Sequence, residues 1–221
     1  MSISDVIIDP DGDTLIILPY DKEALHAKDG NLDEELAEEP AEEVGNTEVP
    51  ASEATEECHE FHFKVSMKHL ELASPRAKVM FAGEYKEARP TEADGLRHWK
   101  FEPLFDPAAF KVILDIVHGR TQRVPRQVSL TLMAGIAAIV DDLECHNAVW
   151  FFAKMWIPQL KKTWRALDVC EDLARWILIS YIFSEPEMFK SVTHTAIYCS
   201  AVSMPTFGLP ILPKIIGPLI T

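Results

Sequence analysis

The apolar and polar positions of Phe61 to Gly83, FHFKVSMKHLELASPRAKVMFAG, change period part-way along. Phe61, Phe63 and Val65 alternate with His62, Lys64 and Ser66, the period of a strand with one apolar face and His62 on its solvent side. From Leu70 the period becomes helical: Leu70, Ala73, Ala77, Met80 and Phe81 fall three or four apart. Ser74-Pro75 interrupts that stripe. Pro75 has no amide proton, so the pattern predicts a stop near Ala73 and a second helix with Ser74 as N-cap and Pro75 at its first position.

The same reading organises the rest of the chain. Asp11-Gly12-Asp13 is a turn signal, and Thr14 to Leu18 is a β-branched apolar run that reads as a buried strand. Glu84 to Gly95 is polar, an exposed connection, and Leu96 to Glu102 alternates as a third strand whose faces the pattern does not orient. Asp106 caps a helix with Pro107 first, Phe110, Ile113, Leu114 and Val117 as its stripe, and Gly119 at its left-handed end. Ser129 caps the next, carrying Leu132, Met133, Ile136, Ala137, Val140 and Leu143. Asn147 is expected to cap another, with Val149, Phe152, Ala153 and Trp156 inward and Pro158 as its end. Asp168-x-x-Glu171 and Ser184-x-x-Glu187 resemble capping boxes before two further stripes, Leu173 to Tyr181 and Phe189 to Ile197. Trp150 and Phe151 lie off the Phe152 stripe and are expected to be covered by the helices that follow. A Pro-rich tail from Pro205 begins one more helix at Pro213.

Charge is unevenly placed. The 221 residues carry a net charge of −14, of which residues 21–60, with 15 Asp or Glu and 2 Lys, hold −13. Few large apolar groups accompany those carboxylates, so the segment cannot bury enough surface to offset ordering entropy and is expected to be disordered. The nearly neutral remainder has no basic stripe to meet phosphates, which argues against nucleic-acid binding. A hydrophobic content of 48% suffices for a core. Cys58, Cys145, Cys170 and Cys199 are far apart with no C-x-x-C, and no signal peptide is read at the start, so reduced thiols in the cytoplasm or nucleus are expected. Four prolines break up Ala196 to Thr221, and no membrane span is expected.

No nucleophile with a base, paired carboxylates or phosphate-cradling loop has useful spacing, so no enzyme activity and no cofactor are expected. Cys58, His59, His62 and His69 are the residue types that ligate a soft metal. Two of them end the acidic arm and His62 lies on a strand, so no metal site is assigned.

The run Val65 to Pro75, VSMKHLELASP, resembles the BTB/POZ family, in which a short strand enters a helix reading roughly h-K-x-h-L-x-x-x-S-P-x-F. Ala77 stands where the family usually has an aromatic, and Leu114 to Arg120, LDIVHGR, is similar to its central helix end, with His118 in place of an aromatic or Thr. The flavour is that of fungal members. The resemblance implies an α+β fold: a small sheet (Thr14 to Leu18, Phe61 to Val65, Leu96 to Phe101), a flanking helical cluster, a C-terminal helical extension and a disordered acidic insert in the first hairpin. The chain then divides into an N-terminal segment and first strand (1–20), the insert (21–60), the BTB core (61–160), the extension (161–204) and the tail (205–221). Ser2 to Pro10 reads either as the extra strand that some BTB dimers exchange or as a frayed end.

The function implied is protein–protein interaction. Self-association into a homodimer would use the first helix, with Met67, His69 and Leu70 as candidate contacts, and the N-terminal segment. Tyr85-Lys86-Glu87 matches the apolar-x-Glu pattern of family members that bind cullin scaffolds, which makes Tyr85 and Glu87 candidate contacts for a cullin and the chain an adaptor for a client of a ubiquitin ligase. A solvated loop is the plainer reading of those three residues. The alternative class is a transcription-linked scaffold of co-repressor type without a DNA-binding domain of its own.

Overall fold

A computed structural model describes residues 2–20, 59–162, 164, 171–199, 205–211 and 215. Residues 21–58, on which the expectation of a disordered insert falls, and the expected capping residue Asp168 lie outside the described residues. Among those described, four strands, Ser2–Ile7 (β1), Thr14–Tyr20 (β2), His59–Val65 (β3) and Arg97–Lys100 (β4), form a sheet of order β1-β3-β2-β4. The seven helices are Met67–Ala73 (α1), Pro75–Ala82 (α2), Pro107–Val117 (α3), Leu130–Leu143 (α4), His146–Lys161 (α5), Glu171–Ile182 (α6) and Pro186–Cys199 (α7). The class is therefore mixed α+β.

Antiparallel β2 and β3 make the expected hairpin, but it is longer than the apolar runs suggested. Pro19 and Tyr20 extend β2, while His59 and Glu60, counted with the acidic segment, open β3. Proline is tolerated where its missing amide leaves the ladder intact. β1 is a real strand and runs parallel to β3 within the same chain, Ser2 opposite His59 and Ile7 opposite Lys64. β4 runs parallel to β2 on the other side. One row, Val6, Phe63, Ile16 and Trp99, crosses all four strands on the inner face. Trp99 thus faces inward, the orientation that alternation alone left open. Burying a side chain the size of Phe63 contributes about 2 to 3 kcal/mol.

Helix α3 covers this row. Phe110 stacks on Phe63 with ring centroids 6.0 Å apart and meets Phe101 edge-on at 5.0 Å. Its start follows the sequence: the Asp106 carboxylate accepts from the Ala109 amide at 2.9 Å, and Pro107 takes the first position. Its end does too, with Gly119 at φ 68°, where a side chain is strained. The Ser129 hydroxyl accepts from Leu132 to cap α4.

Two expected boundaries move. Helix α5 starts at His146 with Cys145 at the cap, so Asn147 lies inside it. It also passes through Pro158 instead of stopping there. Proline removes one hydrogen bond to the preceding turn, and contacts on both sides of it compensate. Trp156 Nε1 donates to Pro125 O at 2.9 Å, and Lys161 Nζ binds Glu185 at 2.6 Å. Ser184 does not cap α7 either. It has φ 52° and its amide donates to Tyr181 O, which ends α6, while Glu185 O accepts the first bond of α7. Helix α6 is no appendage: Leu173, Ala174, Trp176, Ile177, Leu178 and Ile179 are all buried in the common core. A helix apolar nearly all round sits inside a protein, and α6 packs on α4.

The α1–α2 junction rests on one hydroxyl. Ser74 Oγ accepts from the Ala77 amide at 2.9 Å, capping α2 as the sequence predicts, and donates to Leu143 O at 2.5 Å, satisfying the end of α4. Ser74→Ala removes a cap and orphans a buried carbonyl, so urea unfolding should show a loss of about 1 to 3 kcal/mol. A loss within error of zero would mean that neither bond matters.

Candidate functional site

The first turn of α1 is held by residues far away in sequence. Ser66, its N-cap, makes no side-chain cap. Its amide donates instead to His118 Nε2 at 3.0 Å, and the Met67 amide donates to Asp13 Oδ1 at 2.8 Å. Asp13 Oδ2 accepts from Arg97 Nη1 at 3.1 Å, tying α1 to β4. This anchoring sorts the three α1 candidates. Leu70, at 1% exposure, is core and not a partner contact; Met67 is half-buried against the core; His69 is exposed, its ring 4.9 Å from that of His118. Leu72, which the pattern did not single out, is 88% exposed. The His118 role was not legible beforehand, because its partner amide lies 52 positions away.

Tyr85 and Glu87 lie on a connection that is fastened. Arg97 Nε donates to Ala88 O at 3.2 Å, and Thr91 N to Leu96 O at 2.8 Å. The Thr91 hydroxyl, then the Leu96 amide and His98, hold the Asp94 carboxyl well below the usual carboxylate range. The Tyr85 ring lies over Gly83, where an added Cβ would sit 2.6 Å from it. Tyr85, Glu87, Arg76, Val79, Trp99 and Glu144 help line a groove of about 570 Å³ between α2, β4 and the end of α4. Arg76 lies 5.8 Å over the Trp99 ring and pairs with Asp142, whose carboxyl burial pushes up and Arg76 pulls back. Lys100 also lines the groove and pairs with Glu60 at 3.2 Å. The result is a groove lined about equally by polar and apolar atoms, with Arg76 and Lys100 balanced by Glu87 and Glu144 and with Pro75, Val79 and Met80 supplying its apolar part.

The metal-ligating residue types do not converge. His59 bonds Ser4 Oγ at 2.9 Å and also Ser2, beside Phe61. His62 is on the opposite face, 3.3 Å from Glu60 and 3.6 Å from Asp5. It keeps the outer-face position expected of it, with its side chain 16% exposed beside Asp5 of β1 and its own neighbour Glu60. Cys58 lies outside the described residues, and among those described no three His, Cys, Asp or Glu are grouped to hold a metal.

Trp150 and Phe151 are 59% and 67% exposed, contrary to the expectation that later helices cover them. The inward face of α5 is Val149, Ala153, Trp156 and Ile157. Ion pairs from Lys154 and Lys161 to Glu185 dock α5 against the start of α7. Burial alone would raise the Glu185 carboxyl, and these two lysines together bring it below its ordinary value. No described helix is long and apolar enough to cross a membrane. The chain matches no family model, no curated protein and no solved structure.

Burial pushes the Cys145 thiol up to about 12. At pH 8 only about one molecule in ten thousand then carries the reactive thiolate. Peptide mass mapping after iodoacetamide treatment of the native protein should find Cys145 unmodified, and unfolding should expose it. Rapid native labelling would contradict the burial.

Proposed function

We propose that the chain is a protein–protein interaction module of BTB/POZ type, which self-associates and recruits a client to a cullin-based ubiquitin ligase in the cytoplasm or nucleus. The observation that carries the reading is the strand–helix–helix run from β3 through α2. It has the sequence VSMKHLELASP, and it anchors Leu70 inward while leaving His69 and Leu72 in solvent. The sheet arrangement supports it: an antiparallel β2–β3 pair with β4 parallel to β2, and helices on the inner face. So does the groove beside Tyr85 and Glu87, whose mixed lining offers a partner both apolar contacts and charged groups. The self-association surface is the outward side of α1, next to the loop after β1, to which it is bonded through Asp13.

Light scattering tests the first part. The mass is expected to be twice the 24.9 kDa of one chain. Leu72→Glu should reduce it to that of a single chain while unfolding stability changes by less than about 0.5 kcal/mol, because Leu72 buries almost nothing in the monomer. A single-chain mass for the parent protein at tens of micromolar overturns self-association.

Co-precipitation with a cullin tests the second. The Tyr85→Ala/Glu87→Ala double variant is expected to lose it, and Gly83→Ala, which displaces the Tyr85 ring without touching the core, to weaken it several-fold. Unchanged recovery by both variants removes the cullin assignment.

A further inference from the structure

His118 is the cap of α3 and touches α1, and its two ring nitrogens have opposite duties. Nδ1 lies 2.8 Å from Leu114 O, a group that only accepts, so Nδ1 carries the hydrogen. Nε2 lies 3.0 Å from the Ser66 amide, a group that only donates, so Nε2 carries the lone pair. One tautomer of the neutral ring satisfies both. A second proton on Nε2 would point one N–H at another, and the third residue of α1 is His69, not a Glu or Gln that could reach back to accept from the Ser66 amide instead.

The surrounding charges oppose one another. His69, from α1, faces His118 ring to ring and disfavours a charged pair. Asp9, from the loop after β1, and Asp115, from α3, favour the imidazolium. Asp115, however, is compensated by Lys111 at 2.6 Å and Arg120 at 3.4 Å. Burial is the largest effect and leaves His118 below its ordinary value of 6.5.

We propose that His118 is an acid-sensitive latch for α1: the neutral ring holds the amide of Ser66, and the protonated ring releases the start of the helix. The docked state takes up the proton less readily than the undocked one. Docking is therefore complete above about pH 6.5 and weakens as the pH falls from there towards the lower value of the docked ring. A single titrating site limits the change in the docking equilibrium to at most about tenfold per pH unit. Because the outward side of α1 carries the proposed self-association surface, acid would also dissociate the dimer; only this last step rests on the reading given under Proposed function.

Amide hydrogen exchange of the full chain, read by NMR at Ser66 and Met67 between pH 5 and 7.5 and divided by intrinsic rates, tests the latch. Protection at both amides should fall by up to tenfold per unit below pH 6.5. His118→Gln, whose side-chain oxygen accepts without titrating, should flatten the profile, whereas His69→Gln should keep it. Flat wild-type protection, or a slope that persists in His118→Gln, overturns the proposal. Should His118→Gln not fold, ring NMR of the wild-type protein decides: a His118 midpoint below 6.5, shared by the Ser66 amide shift, supports the latch, and a midpoint at or above 6.5 refutes it. Light scattering across the same pH range separates the two readings. A single-chain mass at every pH removes self-association, and the exchange data still judge the latch.

Discussion

Register in the sheet is the constraint on which the rest depends. β2 ends at Tyr20 and β3 begins at His59, so no tight turn fixes how they align. A slip of one residue would turn Phe61, Phe63 and Val65 to the outer face and Glu60, His62 and Lys64 inward. What prevents it is packing. Ile16 lies opposite Phe63 on one side and Trp99 on the other, and Phe110 closes over Phe63 from α3. With these in place, Val65 delivers Ser66 and Met67 to their distant partners His118 and Asp13, and the whole of α1 and α2 follows.

Helix α1 illustrates how a short helix is made from outside. Seven residues are too few to be stable in isolation, and this one has neither a side-chain cap nor an acidic first turn. Its stability is borrowed from the loop after β1, from the end of α3 and, through Ser74, from the end of α4. Such a helix responds to changes at any of the three, and its exposed face responds with it.

What the sequence made legible were features determined by neighbours a few residues apart: the caps at Ser74, Asp106 and Ser129, the prolines that follow two of them, Gly119 and the apolar stripes. What it hid depended on distant groups. Pro158 continues α5 because Trp156 and Lys161 are held by Pro125 and Glu185. Ser184 has the spacing of a capping box, yet its left-handed backbone ends α6 instead. Asn147 lost the cap position because Glu144, in the left-handed region, turns the chain early and lets α5 begin at His146. At the site, Tyr85 and Glu87 were readable as a three-residue pattern. The groove was not, since Arg76, Trp99 and Glu144 come from three different elements. Leu70 heads the apolar stripe, and its burial follows that stripe; its place among the candidate contacts came only from the resemblance, which names the first helix and not its outward side.

The central place of β3 also affects how the protein is made. Both its neighbours in the sheet, β1 and β2, precede it in the chain, and the 38 residues between Tyr20 and His59 must be synthesised before either can join it. At ordinary translation speeds that interval is roughly two to eight seconds. During it, the half-polar β1 and the apolar β2 are on the nascent chain without β3, followed by a strongly anionic stretch. Mutual repulsion among those carboxylates would keep neighbouring nascent chains apart while the strands wait.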